Sequence, residues 1–140
     1  MIKKEQKIIN IPIWFYNDAR NIEVSIKLLE YVIEKLKKDL PPTITYKDLA
    51  NRVGYGLTPR TIDTFLGNIS EVCKENNLPY ISGIVVNGET QMPGVGYFNY
   101  FFGINKNDLE SQIKKFKEDY DKIVGCKYWD DLLHEIESHS

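Results

Sequence analysis

Residues 43–62 read TITYKDLANRVGYGLTPRTI, and this stretch decides the expected fold. Thr45 stands three positions before Asp48, a variant of the capping box in which a side-chain oxygen opens a helix. The apolar positions after Asp48 form a short helix face that ends at Gly54. Because glycine accepts the left-handed conformation that terminates helices, the sequence predicts a first helix between Thr45 and Gly54.

A second helix is predicted to begin at Thr58 and to continue to about Asn76. Threonine is a good N-cap residue, and Pro59 is tolerated at the first helical position. Apolar residues then recur at helical spacing, at Ile62, Phe65, Leu66, Ile69, Val72 and Cys73. A short helix, a glycine turn over residues 54–57 and a longer helix predict a helix-turn-helix.

The segment after the second helix predicts a short β wing. Tyr80–Val86 is rich in β-branched residues, which favour a strand. Asn87-Gly88 is typical of a tight hairpin turn, so Met92–Phe98 is expected to return along the first strand. The helix-turn-helix and its wing would then occupy residues 43–98.

Helices are expected on both sides of this unit. Residues 20–39 and 105–124 carry apolar side chains at spacings of three and four, and a short helix is predicted near residues 128–136. Ile8–Phe15 is expected to form an edge strand or an extended arm. The predicted fold is α+β, mostly α and winged-helix-like, in a single domain over residues 1–140.

Composition favours a folded globular protein without a membrane span. The chain is 42% hydrophobic and 27% charged, and no apolar run approaches the roughly 20 residues that a span requires. The N-terminus does not match a signal peptide, so we expect a cytoplasmic protein. Cys73 and Cys126 are expected to be buried free thiols. His134 and His139 stand alone near the C-terminus, and no metal-ligand spacing is present.

The formal net charge is −2, and it is unevenly distributed. Residues 118–140 hold seven acidic residues and two lysines, a net of −5, so residues 1–117 carry +3. DNA-binding domains are usually basic. The charge of the first part is compatible with phosphate contact, whereas the acidic total favours a protein partner.

Part of the chain resembles the C-terminal domain of O6-alkylguanine-DNA alkyltransferases and the alkyltransferase-like proteins. The resemblance covers about 55 residues and is carried by Ile44–Ala50, Val53-Gly54, Pro59–Ile62, Leu78-Pro79 and Val85-Val86. It implies a helix-turn-helix that binds the minor groove of DNA. Tyr46 matches the family's tyrosine beside the phosphate backbone, and Arg60 matches the arginine that enters the base stack.

The family's reactive proline-cysteine-histidine-arginine motif is missing. Residues 80–84 read YISGI, without a cysteine or a histidine, and the segment is about two residues shorter than in the family. A thiolate nucleophile requires a neighbouring base or positive charge, and Ser82 has no such base in the sequence. We therefore expect no alkyl transfer, no catalytic residue and no cofactor.

Two of the candidate DNA contacts, Tyr46 and Arg60, lie near the predicted helix starts. Unpaired N–H groups and the helix dipole favour phosphate oxygens there. The candidates are Tyr46, Lys47, Arg52, Thr58, Arg60 and Thr61. Tyr97, Tyr100 and Phe101 could stack on single-stranded nucleic acid, although an aromatic run beside a strand more often belongs to the core.

Two classes of function are compatible with these patterns. The order of the motifs favours a non-catalytic DNA-binding protein that recognises DNA, including distorted or modified DNA. The acidic total charge favours a protein-binding inhibitor or immunity-type module of a bacterial conflict system. Asn87–Phe98 also looks like a segment of uncharacterised bacterial proteins, some of them linked to phage defence. The oligomeric state is left open by the sequence.

Overall fold

The computed structural model describes residues 6–139, and this part of the chain is mostly helical. Its helices, in chain order, are α1 (Ala19–Lys37), α2 (Tyr46–Val53), α3 (Asp63–Glu75), α4 (Val95–Phe102), α5 (Leu109–Gly125) and α6 (Trp129–Ser138). Two short strands, β1 (Ile44–Thr45) and β2 (Val85–Val86), form a two-stranded sheet, and 3₁₀ turns cover Ile13–Asn17 and Ile81–Ile84. The prediction of an α+β, mostly α fold is confirmed.

Helix α1 lies at the centre of the core. It contacts α2, α3 and α6. Val24, Leu28 and Val32, four positions apart, are fully buried and form the middle of its apolar stripe. The helix predicted over residues 20–39 is confirmed, and Pro41-Pro42 follows its end.

The first helix of the predicted pair is confirmed together with both of its end signals. The Asp48 N–H donates a hydrogen bond of 3.1 Å to the Thr45 Oγ1, as the capping pattern requires. At the other end Gly54 has a φ of +74°, a conformation that an L side chain would strain. Local chemistry therefore defines α2 from both sides.

The second helix begins at Asp63, so its predicted start at Thr58 is wrong. The Thr61 N–H donates to the Thr58 Oγ1 at 3.2 Å, and the Thr58 N–H donates to the Thr61 Oγ1 at 2.9 Å. These reciprocal bonds close a separate turn before the regular helix. Residues 54–62 therefore form a longer connection than the predicted tight turn.

The predicted strand over Tyr80–Val86 is also wrong over most of its length. Ile81 and Ile84 are fully buried within the 3₁₀ turn, and only Val85-Val86 is extended. A strand with one buried face would alternate burial, whereas every residue of this turn is buried. The segment therefore packs as a helical turn inside the core.

The β hairpin and the wing are not formed. Strand β2 pairs in parallel with β1, with Ile44 opposite Val85. The turn after Asn87 does exist, because the Gln91 N–H donates to the Asn87 carbonyl at 2.8 Å, but the chain then enters α4. Within residues 6–139 no antiparallel return strand is present. The aromatic run that was expected to return as a strand packs as a helix.

The remaining predicted elements agree with the structure. Helices α5 and α6 confirm the helices predicted over residues 105–124 and 128–136, except that α5 begins four residues later than predicted, at Leu109. Of the two alternatives for Ile8–Phe15, the arm is correct, because residues 6–12 are irregular and a 3₁₀ turn comes next. Asn76 holds this arm through reciprocal bonds with the Asn10 backbone at 2.8 and 2.9 Å.

Candidate functional site

The starts of α2, α3 and α4 meet around an open groove and a smaller cavity beside it. The outer groove, of about 980 Å³, lies between Thr45–Asp48, Pro59-Arg60, Val86–Gly88 and Gly94–Gly96. The inner cavity, of about 360 Å³, lies between α3 and α4. Tyr46, Asp63 and Gly96 line both spaces, so the two are continuous at these residues.

Tyr46 stands at the boundary between the outer groove and the inner cavity. Its hydroxyl oxygen accepts a hydrogen bond of 2.9 Å from the Gly94 N–H, and its half-buried ring packs against the core. Burial raises the pKa of Tyr46, and the nearby Asp63 carboxylate raises it further. Tyr46 therefore ties the loop before α4 to the start of α2, and its hydroxyl proton can still be donated.

Two of the predicted cations converge on the outer groove. Lys47 lies in the first turn of α2, and Arg60 lies in the turn before α3; both side chains are exposed. Neither makes an ion pair with another residue in the described part of the chain. Asp48 and Asp63 line the same groove, so the formal charges of its lining cancel.

The other three predicted contacts do not line this groove. The Arg52 guanidinium lies 5.0 Å from the centre of the Tyr31 ring, against α1. With 3.6 residues per turn, five positions along α2 place Arg52 on a different face from Lys47. Thr58 and Thr61 are exposed, and their hydroxyls bond within their own turn. The structure brings together Tyr46, Lys47 and Arg60 only.

The inner cavity has aromatic residues on one side and carboxylates on the other. Helix α4 supplies Tyr97, Tyr100 and Phe101, while Asp63 and Glu71 come from α3. These aromatic side chains differ in burial. Tyr97 is 8% exposed and packs in the interior, whereas Tyr100 is 71% exposed and its ring is open to contact with a ligand.

The acidic side of the cavity was not recognised as a site from the sequence. Asp63, Gly67 and Glu71 recur at four-residue intervals, which places them on one face of a helix. All three line the cavity, and the small Gly67 leaves room between the two acids. The four-residue spacing indicates a shared helix face. That this face lines a cavity follows only from the start of α3 at Asp63 and from the position of α4 opposite it.

Hydrogen bonds fix the walls of the cavity. The Tyr97 hydroxyl donates to the Asp119 carboxylate at 2.8 Å, and Lys115 lies 3.3 Å from that carboxylate. Burial and the Asp119 charge both raise the pKa of Tyr97. The nearby Glu71 carboxylate raises the pKa of Tyr100, so these two side chains of opposite walls lie close together.

The side chains near the cavity lack the arrangement of a nucleophile and a base. The Ser70 hydroxyl donates to the Ser82 Oγ at 2.6 Å, and both serines are buried, with no histidine beside them in the cavity lining. Burial raises the pKa of the Cys73 thiol to about 12, which keeps it protonated and poorly nucleophilic. His139 bonds to Glu135 on α6 instead.

Residues 6–139 contain no group of three or more histidine, cysteine, aspartate or glutamate side chains that could hold a metal ion. None of the helices in this part of the chain is long and apolar enough to cross a membrane.

In comparisons with known proteins, no family model, no curated protein and no solved structure matches this chain. The groove and the cavity themselves are therefore the basis for its proposed function.

Proposed function

We propose that this chain is a non-catalytic DNA-binding protein that contacts the phosphate backbone at the outer groove. The observation that carries the proposal is the convergence of Lys47 and Arg60 on one groove from separate segments. Both cations are exposed and form no ion pair within residues 6–139, so both are available to phosphate oxygens.

The start of α2 adds hydrogen-bond donors to these charges. The Thr45 hydroxyl accepts the Asp48 N–H, and the N–H groups of Tyr46 and Lys47 in the first turn have no acceptor within the helix itself. Unpaired N–H groups at a helix start, aligned with the helix dipole, attract anions. Tyr46 can donate its hydroxyl proton on the same side, as the resemblance to alkyltransferase-like proteins implies.

The acidic residues of the groove limit the strength of the proposed contact. Asp48 and Asp63 balance Lys47 and Arg60 in the lining, so we propose few phosphate contacts and moderate affinity. Neutralisation of two phosphates would give a slope of about −1.8 for log K against log salt concentration on duplex DNA.

Fluorescence anisotropy with duplex, mismatched and alkylated oligonucleotides at two salt concentrations tests the proposal. We expect binding that weakens with salt and that falls at least about tenfold in the double variant Lys47→Ala/Arg60→Ala. Lys117→Ala, an exposed lysine on α5 outside the groove, is the matched control. Equal affinity of the double variant and the control would refute the proposed contact surface.

A protein partner is the second candidate. Val95 and Tyr100 are 49% and 71% exposed at the rim of the site, where they add apolar surface beside the acidic residues. Exposed aromatic and aliphatic side chains of this kind are typical anchors of protein interfaces. An absence of salt-sensitive binding to any duplex or single strand at micromolar concentration would replace the DNA proposal with this one.

A further inference from the structure

The charged side chains that line the inner cavity are both carboxylates. Asp63 and Glu71 contribute carboxylates, and no lysine, arginine or histidine is among the lining residues. The Asn68 amide donates one of its two Nδ2 hydrogens to the Asn21 Oδ1 at 2.8 Å, and its Oδ1 is a further acceptor. The charged groups of this lining therefore favour a cationic ligand, whose N–H groups can donate to the carboxylates.

The two carboxylates differ in what they already contact. Glu71 lies close enough to Tyr100 to raise the pKa of that tyrosine. Asp63 forms no ion pair with any residue between 6 and 139. Part of its surface is open to solvent, yet the surrounding protein desolvates its carboxylate enough to raise its pKa. An incoming positive charge would compensate for this desolvation.

The aromatic side of the cavity suits the same kind of ligand. Tyr100 and Phe101 come from α4 opposite the acids, and their ring centroids are 4.9 Å apart in an edge-to-face arrangement. The face of an aromatic ring attracts a cation, and its apolar surface packs against methylene groups. A volume of about 360 Å³ admits a small aliphatic ligand or one long side chain.

We propose that the inner cavity binds an organic cation, an ammonium or guanidinium group on a short aliphatic chain. Asp63 and Glu71 are its counter-ions, and the Tyr100 ring packs against the charged group. The cation is either a free amine or the basic side chain of a protein. This site differs from the proposed phosphate contact, because Lys47 and Arg60 line only the outer groove, whereas Glu71, Tyr100 and Phe101 line only the inner cavity. Asp63 lies at the boundary of the two spaces.

Isothermal titration of the full chain with four probes tests the proposal. Agmatine represents a free amine, and acetyl-Gly-Arg-Gly-amide represents a basic side chain. The neutral control is 1,4-butanediol, which has the same four-carbon chain as agmatine. Adenosine represents a planar nucleobase. We expect a dissociation constant of about 0.1–1 mM for at least one cation, in keeping with the few atoms of such a ligand.

Charge-neutralising variants locate the binding. Asp63→Asn and Glu71→Gln should each weaken cation binding about tenfold, the loss typical of one charge-assisted hydrogen bond. Tyr100→Leu should weaken it about three- to fivefold through the loss of the ring. Glu75→Gln makes the same charge change on an exposed residue of α3 outside the cavity, and it should bind like the unaltered protein. Thermal unfolding of each variant checks its fold, and Glu71→Gln decides the test if Asp63→Asn does not fold.

The results of the titrations either support or overturn the proposed cation site. Tighter binding of agmatine than of the peptide would identify a free amine, the reverse would identify a protein side chain, and both results support the proposal. Four results would overturn it: no binding of either cation, equal binding of butanediol, affinities unchanged in both acidic-site variants, or binding of adenosine alone. None of these outcomes depends on whether the chain binds DNA.

Discussion

The contact between Gly83 and Tyr97 gives the sharpest test of the packing behind the cavity. A Cβ atom added at Gly83 would lie 2.6 Å from the Tyr97 hydroxyl oxygen and 3.3 Å from the Ile123 Cδ1. The hydroxyl cannot give way freely, because it donates to the buried Asp119 at 2.8 Å. Gly83→Ala must therefore displace the tyrosine or break this hydrogen bond.

The expected loss in the free energy of unfolding combines the displacement of Tyr97 with the loss of its hydrogen bond to Asp119. Overpacking of a core costs about 1–3 kcal/mol, and loss of a hydrogen bond to a charged group costs about 1.5–3 kcal/mol. Alanine also restricts the unfolded chain, which offsets about 0.4–1 kcal/mol. Because displacement and bond breakage are partly alternatives, we expect Gly83→Ala to lower the free energy of unfolding by about 2–4 kcal/mol.

Urea unfolding followed by circular dichroism measures this cost, with an expected fall in the midpoint of about 1–2 M at an unchanged slope. Tyr97→Phe removes the clashing oxygen, after which the nearest ring carbon is 3.1 Å from the added Cβ. In that background Gly83→Ala should cost about 1 kcal/mol, so the two changes should be less than additive. A cost below about 0.5 kcal/mol, or one that is the same in both backgrounds, would refute this account of the packing.

Two other predictions concern the cap at the start of α2 and the thiol of Cys73 in the core. Thr45→Ala should destabilise the protein by about 1 kcal/mol in urea unfolding, because the Asp48 N–H loses its cap. A matched Thr64→Ala, at an exposed threonine of α3 that caps no helix, should cost less, and equal costs would argue against the cap. The Cys73 thiol, whose pKa of about 12 keeps it protonated, should not react with a disulfide reagent at pH 8 until denaturant is added. Reaction of Cys73 in the native protein, identified by peptide mass against a Cys73→Ser control, would contradict its burial.

The parts of the fold that the sequence predicted are those set by local chemistry. The Thr45 cap and the Gly54 terminus each depend on groups within a few residues, so α2 could be placed closely. A turn does follow Asn87, but it is wider than the predicted two-residue hairpin turn, and the signal for a turn does not determine the structure of the residues after it. The return strand was wrong because the aromatic residues after Gly94 pack as α4 beside α5, which is a tertiary contact.

The residues of the candidate site likewise divide into those placed by local chemistry and those placed by tertiary packing. Lys47 and Arg60 lie near helix starts and both line the outer groove. Arg52 lies on another face of α2, and its guanidinium packs over the Tyr31 ring. The pairing of Asp63 and Glu71 with the rings of α4 depends on two helices whose nearest ends are twenty positions apart in the chain. No local pattern could predict that pairing, since it depends on how the whole core packs.

The parallel pairing of β1 and β2 also has a consequence for folding kinetics. Ile44 and Val85 are partners although 41 positions separate them, and α2 and α3 lie within the intervening chain. Two strands of two residues cannot hold together alone, so we expect them to pair only after the helices have packed. Thr45 and Val86 line the outer groove, which makes the groove one of the last features to form during refolding and one of the first to be lost when the native state opens.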